Sequence, residues 1–267
     1  MRRSTPPLFL VLCTAALLSG CEGTRGPSGE DRRTVSVAAA ADLKFALDEI
    51  VEAFESAHPG IDVEVVYGSS GNFFAQLSSR APFDVFFSAD VEYPRKLVES
   101  GLADGRSEFL YAVGQIVLWV PRSSPIDVEE LRERAVLDPS VRKVAIANPR
   151  HAPYGRAAEA ALESLGVLAA VRDRMVFGEN VAQTAQFVES GAADIGVIAL
   201  SLAMAPSLRE KGRYWLIPLD AYPRMEQGGI ILNWAKDREA ASLLRGFVVS
   251  AEGRKTLRRY GFILPGD

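Results

Sequence analysis

The chain has 267 residues, 48% hydrophobic and 24% charged, with a formal net charge of -4. That supplies a sizeable core, as one large domain or two smaller lobes. The mild negative balance, with no basic face and no run of like charge, argues against a nucleic-acid partner and against a disordered charged tail.

The first segments are "MRR", "PLFLVLCTAALL" and "LLSGC". A short basic stretch, an apolar run too short to span a bilayer comfortably and small residues before a cysteine predict a secretory signal over residues 1–20. The ending resembles the lipobox of bacterial lipoproteins. That resemblance implies cleavage before Cys21, lipidation of its thiol, and an exported protein, periplasmic or on the cell surface. The lipid anchors such a protein to a membrane without spanning it. A soluble secreted protein with an incidental Cys21 is the competing possibility. Cys13 leaves with the signal, so no disulfide is expected. Residues 21–33, the lipidated cysteine and "EGTRGPSGEDRR", read as a flexible tether.

From Thr34 onward short apolar strands alternate with amphipathic helices. "TVSVAAAA" reads as a buried strand. "DLKFALDEIVEAFESAHPG" places Leu43, Ala46, Leu47, Ile50, Val51 and Phe54 at helical spacing before Pro59-Gly60 ends it. "IDVEVVYG", "NFFAQLSSR", "FDVFFSAD" and "YPRKLVESG" continue as strand, helix, strand and helix. This β-α-β-α-β order predicts a largely parallel sheet with helices on both faces. After the long run "FLYAVGQIVLWVP", a second set follows. "VRKVAIANP", "DRMVFG", "ADIGVIAL" and "YWLIPL" read as strands. "YGRAAEAALESLG", "VAQTAQFVESG" and "SLAMAPSLREKG" read as the helices between them. "GGIILNWA" and terminal helices in "REAASLLRGFVVSAEGRKTLRRYGF" close the chain. No repeat of 20–50 residues suggests a solenoid. Two α/β sets of similar size predict two Rossmann-like lobes joined by a hinge. Residues 34–115 and 222–267 form lobe 1, residues 116–221 form lobe 2, and the crossings fall near 112–120 and 218–226.

Three segments share one design: "AAAADLK", "YGSSGNF" and "NPRHAPYGR" each join a strand end to a helix start through small or polar residues. "FGENVAQ" is a fourth. Each alone also reads as an ordinary helix cap. In open α/β sheets ligands sit at the carboxyl ends of strands, and helix N-termini favour anions. Four such ends facing one cleft surround a small anion with neutral donors.

Enzyme chemistry has less support. There are two histidines; His58 reads as a helix C-cap and His151 as a loop-ordering hydrogen bonder. A hydrolase built on Ser70 and His151 stays open, but no G-x-S-x-G elbow is present. No cysteine remains for catalysis, no cluster has metal-ligand spacing, and the phosphate loop is absent. Asp90 reads as a turn residue, and "GQIVLWV" and "EQGGIILNW" as sheet core and hinge.

In order and distance, "VAAAADLKFALDEI", "YGSSGNFFAQL", "APFDVFFSAD", "NPRHAPYGRAAEAAL", "ENVAQTAQFVESGAADIGVIALS" and "RRYGF" resemble the periplasmic molybdate-binding proteins of ABC transporters. The resemblance covers residues 34–267. It implies a type II periplasmic binding protein fold, no enzymatic activity and no cofactor. It further implies molybdate or tungstate as ligand, with molybdenum held only as the oxyanion, and a membrane permease as partner. A monomer is the default. The family's oxyanion donors fall on Ala41 and Asp42 at the first strand end, Ser70 with Ser69 beside it, Tyr154, and Val181 through its N–H. Some members carry their tyrosine after the later "IGV" strand, where this chain has Ala199. The family often has serine at the Asp42 position. A carboxylate facing a dianion repels it, so Asp42 is expected to turn away and cap its own helix. Inward-facing, Asp42 would instead supply an acceptor for a protonated oxyanion such as phosphate. A receptor for a different tetrahedral oxyanion such as sulfate, and an accessory sensor that binds the anion and docks to a signalling partner, fit the same residues.

Overall fold

The structure is a computed structural model, and it describes Met1 and residues 32–267. The expected signal after Met1, Cys13, the expected lipidation site Cys21 and the expected tether up to residue 31 lie outside the described residues.

In chain order the strands and helices are β1 (Arg33–Ala40), α1 (Lys44–Ala57), β2 (Ile61–Gly68), α2 (Ser70–Ser78), β3 (Val85–Ser88), α3 (Glu92–Glu99), β4 (Phe109–Gly114), β5 (Ile116–Pro121), α4 (Val128–Leu131), β6 (Val144–Ala147), α5 (Pro153–Ser164), α6 (Leu168–Val171), β7 (Met175–Gly178), α7 (Val181–Glu189), β8 (Ile195–Ala199), α8 (Leu200–Ala203), α9 (Pro206–Arg209), β9 (Gly212–Leu216), β10 (Met225–Ile231), α10 (Arg238–Val248) and α11 (Ala251–Arg259). The apolar stripe of α1 is buried at Ala46, Leu47, Ile50, Val51 and Phe54. The helix stops at His58, whose N–H and Nδ1 both reach the Phe54 carbonyl oxygen, at 2.9 and 3.0 Å. Pro59 follows and cannot continue a helical ladder.

The strands form two five-stranded sheets, ordered β2-β1-β3-β10-β4 and β7-β6-β8-β5-β9. Each is largely parallel, as expected, with one strand, β10 or β5, running against the other four. β1 runs parallel to β2 and β3, but β10 lies antiparallel to β3 and β4. In the second sheet β6 is parallel to β7 and β8, and β5 is antiparallel to β8 and β9. The reason is connectivity. β4 and β5 are separated by one residue, Gln115, and lie in different sheets. β10 enters the first sheet from the second, so it need not follow the direction that helical crossovers impose. The segment "SLAMAPSLREKG" also departs from expectation. It is two short helices, because Ala205 is extended and Pro206 starts α9 afresh.

Each sheet has its own core. In the first sheet Val35, Val37, Ala39 and Phe87 pack with α1, α10 and α11 on one side. Ala38, Phe86 and Ile230 pack with Phe73, Leu77 and Leu97 on the other. The second sheet is the centre of a larger cluster that includes Trp119, Ile146, Val197 and Ile198. Both faces of each sheet are therefore covered, which suits strands that read as continuous apolar runs. The result is a two-lobe α/β architecture with one five-stranded sheet in each lobe.

Candidate functional site

The C-terminal ends of β1 and β2 and the N-terminal starts of α5 and α7 meet in one narrow cleft. Its lining contains Ala41 and Asp42, Ser69 and Ser70, Tyr154, and Val181, together with Ala89, Asn180 and the strand-end residues Ala40 and Gly68. All six residues singled out in the sequence are thus brought together. The cavity is about 10 Å³, room for about one water-sized group.

Local sequence explains each approach. Ala41–Leu43 form a short 3-10 turn ahead of α1. Ser69 is extended at the N-cap of α2. Pro153 occupies the first turn of α5, where its missing N–H is harmless, with Tyr154 beside it. Asn180 caps α7, and its side-chain oxygen accepts the N–H groups of Ala182 and Gln183, both at 3.0 Å. That cap leaves the first N–H, that of Val181, outside its reach. The Ser70 hydroxyl oxygen accepts the Ala89 N–H at 2.9 Å, so its own hydrogen is free to donate elsewhere.

Asp42 does not cap its own helix, contrary to expectation. It is the second residue of a three-residue turn whose N-cap is Ala40, and that turn has no side-chain cap. Instead its Oδ2 accepts from the Tyr154 hydroxyl at 3.0 Å and from Gln227 Nε2 at 2.8 Å. Gln227 Nε2 also donates to the Tyr154 oxygen at 3.0 Å. Asp42, Tyr154 and Gln227 come from three separate elements and are almost completely buried. Two acceptors of the cluster, Asp42 Oδ1 and Gln227 Oε1, have no partner. Burial pushes the Asp42 carboxyl up from 3.8 to about 6, while the Gln227 and Tyr154 hydrogen bonds restrain the rise. Burial, then the Asp42 charge, pushes the Tyr154 phenol well above its ordinary range.

Contacts also close the rim between the lobes. Arg156 Nη2 pairs with Asp90 Oδ2 at 2.6 Å, and Nη1 donates to the Tyr93 hydroxyl at 3.2 Å. Asn72 donates to Glu179. The Gly71 N–H donates to the His151 carbonyl oxygen at 2.9 Å. A Cβ at Gly71 would stand 2.5 Å from that oxygen. The glycine of "GSSGNF" therefore serves backbone-to-backbone approach. Ser201 of α8 donates to the Asp42 carbonyl oxygen at 2.7 Å.

A larger groove of about 600 Å³ adjoins the cleft and is lined by Asp90, Arg95, Arg156, Arg224 and Glu226, among others. Each of its three guanidinium groups has a carboxylate partner within 4.0 Å. It offers no unpaired cation to an anion, so the small cleft is the better candidate.

Three features were not assigned to the site from sequence. Gln227 lies in a strand that reads as apolar core; the signal was the lone amide there, because a buried amide must find partners. Asp90 is both the turn residue expected, through Oδ1 and the Glu92 N–H at 3.0 Å, and the partner of Arg156. His151 Nδ1 meets Ser69 Oγ at 3.0 Å and not Ser70. The Ser70–His151 pair that a hydrolase would need is not formed.

Comparisons with known proteins agree with this architecture. The model of the bacterial extracellular solute-binding protein family matches residues 35–263. The molybdate-binding protein ModA of Rhodobacter capsulatus is 35% identical over 229 residues, 86% of this chain and 88% of that protein. The putative ABC transporter substrate-binding lipoprotein YvgL of Bacillus subtilis is 29% identical over 260 residues, 96% of each chain. Among solved structures, the periplasmic molybdate-binding protein of Azotobacter vinelandii superposes with a TM-score of 0.79 at 29% identity, covering 86% of this chain and 99% of that one. With a family model spanning nearly all the described residues and a relative 35% identical over most of both chains, the protein belongs to the bacterial extracellular solute-binding protein family.

Proposed function

We propose that this protein captures molybdate or tungstate in the cleft between its lobes and delivers it to an ABC transporter permease. It acts outside the cytoplasm as a monomer tied to the membrane through lipidated Cys21, without enzymatic turnover or cofactor. The single observation that carries this reading is the convergence of Ala41, Asp42, Ser69, Ser70, Tyr154 and Val181 on one closed cleft. Its donors are hydroxyls and helix N–H groups, suited to a tetrahedral dianion without full positive charge. The named relatives that bind molybdate support the choice of ligand.

Because the closed cleft holds so little space, the ligand enters by hinge motion of the lobes. Size then selects. Sulfate carries the same charge as molybdate but is smaller, and a hydrogen bond stretched past about 3.5 Å is lost. Asp42 favours a second reading, a protonated oxyanion such as hydrogen phosphate, because its bare Oδ1 could accept that proton. Thermal unfolding with each anion separates the two. A ligand at 100 times its dissociation constant adds about 2.7 kcal/mol, several degrees in midpoint. Molybdate and tungstate are expected to give that shift, and sulfate and phosphate none. A shift with phosphate alone would transfer the site to the second reading.

The rim makes a kinetic prediction. The Arg156–Asp90 pair is part-exposed, so it contributes about 1 kcal/mol or less. Arg156→Gln should speed molybdate release by about two- to fivefold with little change in association, measured by stopped-flow fluorescence. An unchanged release rate would remove the pair from the closed-state latch.

A further inference from the structure

We propose that Asp42 takes up one proton as the cleft closes on the oxyanion, and that the neutral carboxyl then donates from Oδ1 to the anion. The inference rests on the oxyanion reading of the cleft and adds to it a proton that travels with the ligand.

Asp42 lines the cleft and is almost completely buried. No lysine, arginine or histidine pairs with it among the described residues. The groups facing it are Tyr154 from α5, Gln227 from β10 and Tyr111 from β4, whose phenol its charge helps push upward. Ser201 from α8 bonds only its backbone carbonyl. Across the cleft stand Ser69, Ser70, Asn180 and Val181, all neutral. The nearest histidine, His151, reaches Ser69 instead.

Within this neutral shell the cluster is short of donors. Tyr154 and Gln227 serve Oδ2, while Asp42 Oδ1 and Gln227 Oε1 are buried acceptors with no donor. Bare buried acceptors are rare, and leaving one unmade is unfavourable. A dianion beside an ionised Oδ1 adds like-charge repulsion, and both effects favour the protonated carboxyl. Protonation turns Oδ1 into an O–H donor, as buried neutral carboxylic acids act elsewhere. The balance is simple: solvent supplies one proton, one O–H bond forms on Asp42, and a dianion and a carboxylate become a dianion and a neutral acid. Burial already favours the proton in the closed form.

The sign follows from linkage. With the lobes apart Asp42 meets water, and its pKa lies near the ordinary carboxylate value. It is higher in the closed, loaded form. Binding is therefore strongest below the open-form pKa and weakens as pH rises toward the loaded-form pKa.

The test is calorimetric titration of the full-length protein in detergent micelles with sodium molybdate. It is run at pH 6.5, 7.5 and 8.5 in buffers of different ionisation enthalpy. The wild type should take up close to one proton per molybdate at pH 7.5, with the dissociation constant rising between about tenfold and a hundredfold from pH 6.5 to 8.5. Asp42→Asn should lose the uptake and the pH slope, and bind more tightly than wild type at pH 8.5. Asp42→Ser provides the same comparison, and the wild-type slope needs no variant. Tight molybdate binding without proton uptake would overturn the inference while leaving the oxyanion reading intact. Uptake retained in Asp42→Asn would also overturn it, because the proton would then reside on another group. Absence of molybdate binding at every pH would overturn both.

Discussion

An Asp42→Asn variant is expected to populate the closed form without ligand. In the closed form burial pushes the wild-type carboxyl up from 3.8 to about 6. When the lobes part, water reaches it and the ordinary value returns. A group raised in this way stabilises the closed form fully below pH 3.8 and loses that contribution as pH rises through about 6. At pH 7.5 the ionised carboxylate thus opposes closure by about 3 kcal/mol, or about a hundredfold in the closed-to-open ratio. The asparagine amide carries no charge to desolvate and removes this opposition. Fluorescence energy transfer between dyes on the two lobes should report a shift toward the short distance in the variant at pH 7.5, with wild type approaching it near pH 4. Identical distance distributions at pH 7.5 would show that Asp42 does not bias the hinge.

The second large effect concerns Gly71. Its N–H donates to the His151 carbonyl oxygen of the opposite lobe at 2.9 Å. An added Cβ would lie 2.5 Å from that oxygen and 2.9 Å from the His151 Cα and the Tyr93 hydroxyl. The first two are backbone atoms and cannot swing aside as a side-chain end would. Gly71→Val should therefore hold the lobes apart and weaken molybdate binding by at least about a hundredfold, a loss of about 3 kcal/mol or more. Each sheet keeps its own core, so the unliganded midpoint should change by no more than a few degrees. Calorimetry and a melting curve on the same sample check both statements. An unchanged dissociation constant would mean that this contact is not made in the loaded form.

Much of the fold was legible because its elements carry strong local signals. The β2 reading coincides with the strand found, Ile61–Gly68, because β-branched residues alternate there and Pro59-Gly60 and Ser69-Ser70 punctuate both ends. The α1 stripe was equally clear. The parallel run of β1–β3 and of β6–β8 followed from the alternation of strands and helices; the two reversed strands did not, because a local apolar run says nothing about which way its neighbours point. β10 and β5 follow from how the chain crosses between sheets, a tertiary property.

The candidate site divides in the same way. Strand-to-helix junctions advertise themselves through small residues and caps, so four junction segments could be read as candidate anion seats; the family resemblance then assigned Ala41, Asp42, Ser69, Ser70, Tyr154 and Val181 within them. The partners of Asp42 could not be read in this way. Tyr154 is 112 positions away and Gln227 is 185, and no local pattern encodes a hydrogen bond at that separation. Expecting a cap from Asp42 applied a sound local rule two residues past the N-cap position, which Ala40 holds. Gln227 was overlooked because an amide in a strand with few polar residues reads as part of the core until its partners are seen.

The most direct measurement is an anomalous difference map at the molybdenum absorption edge, from crystals grown with sodium molybdate. A single strong peak is predicted in the cleft, within hydrogen-bonding reach, through the anion's oxygens, of the Ser70 hydroxyl and the Val181 N–H, with Asp42 beside it. A peak in the larger groove beside Arg156, or no peak in a crystal grown with excess molybdate, would contradict the assignment of the cleft.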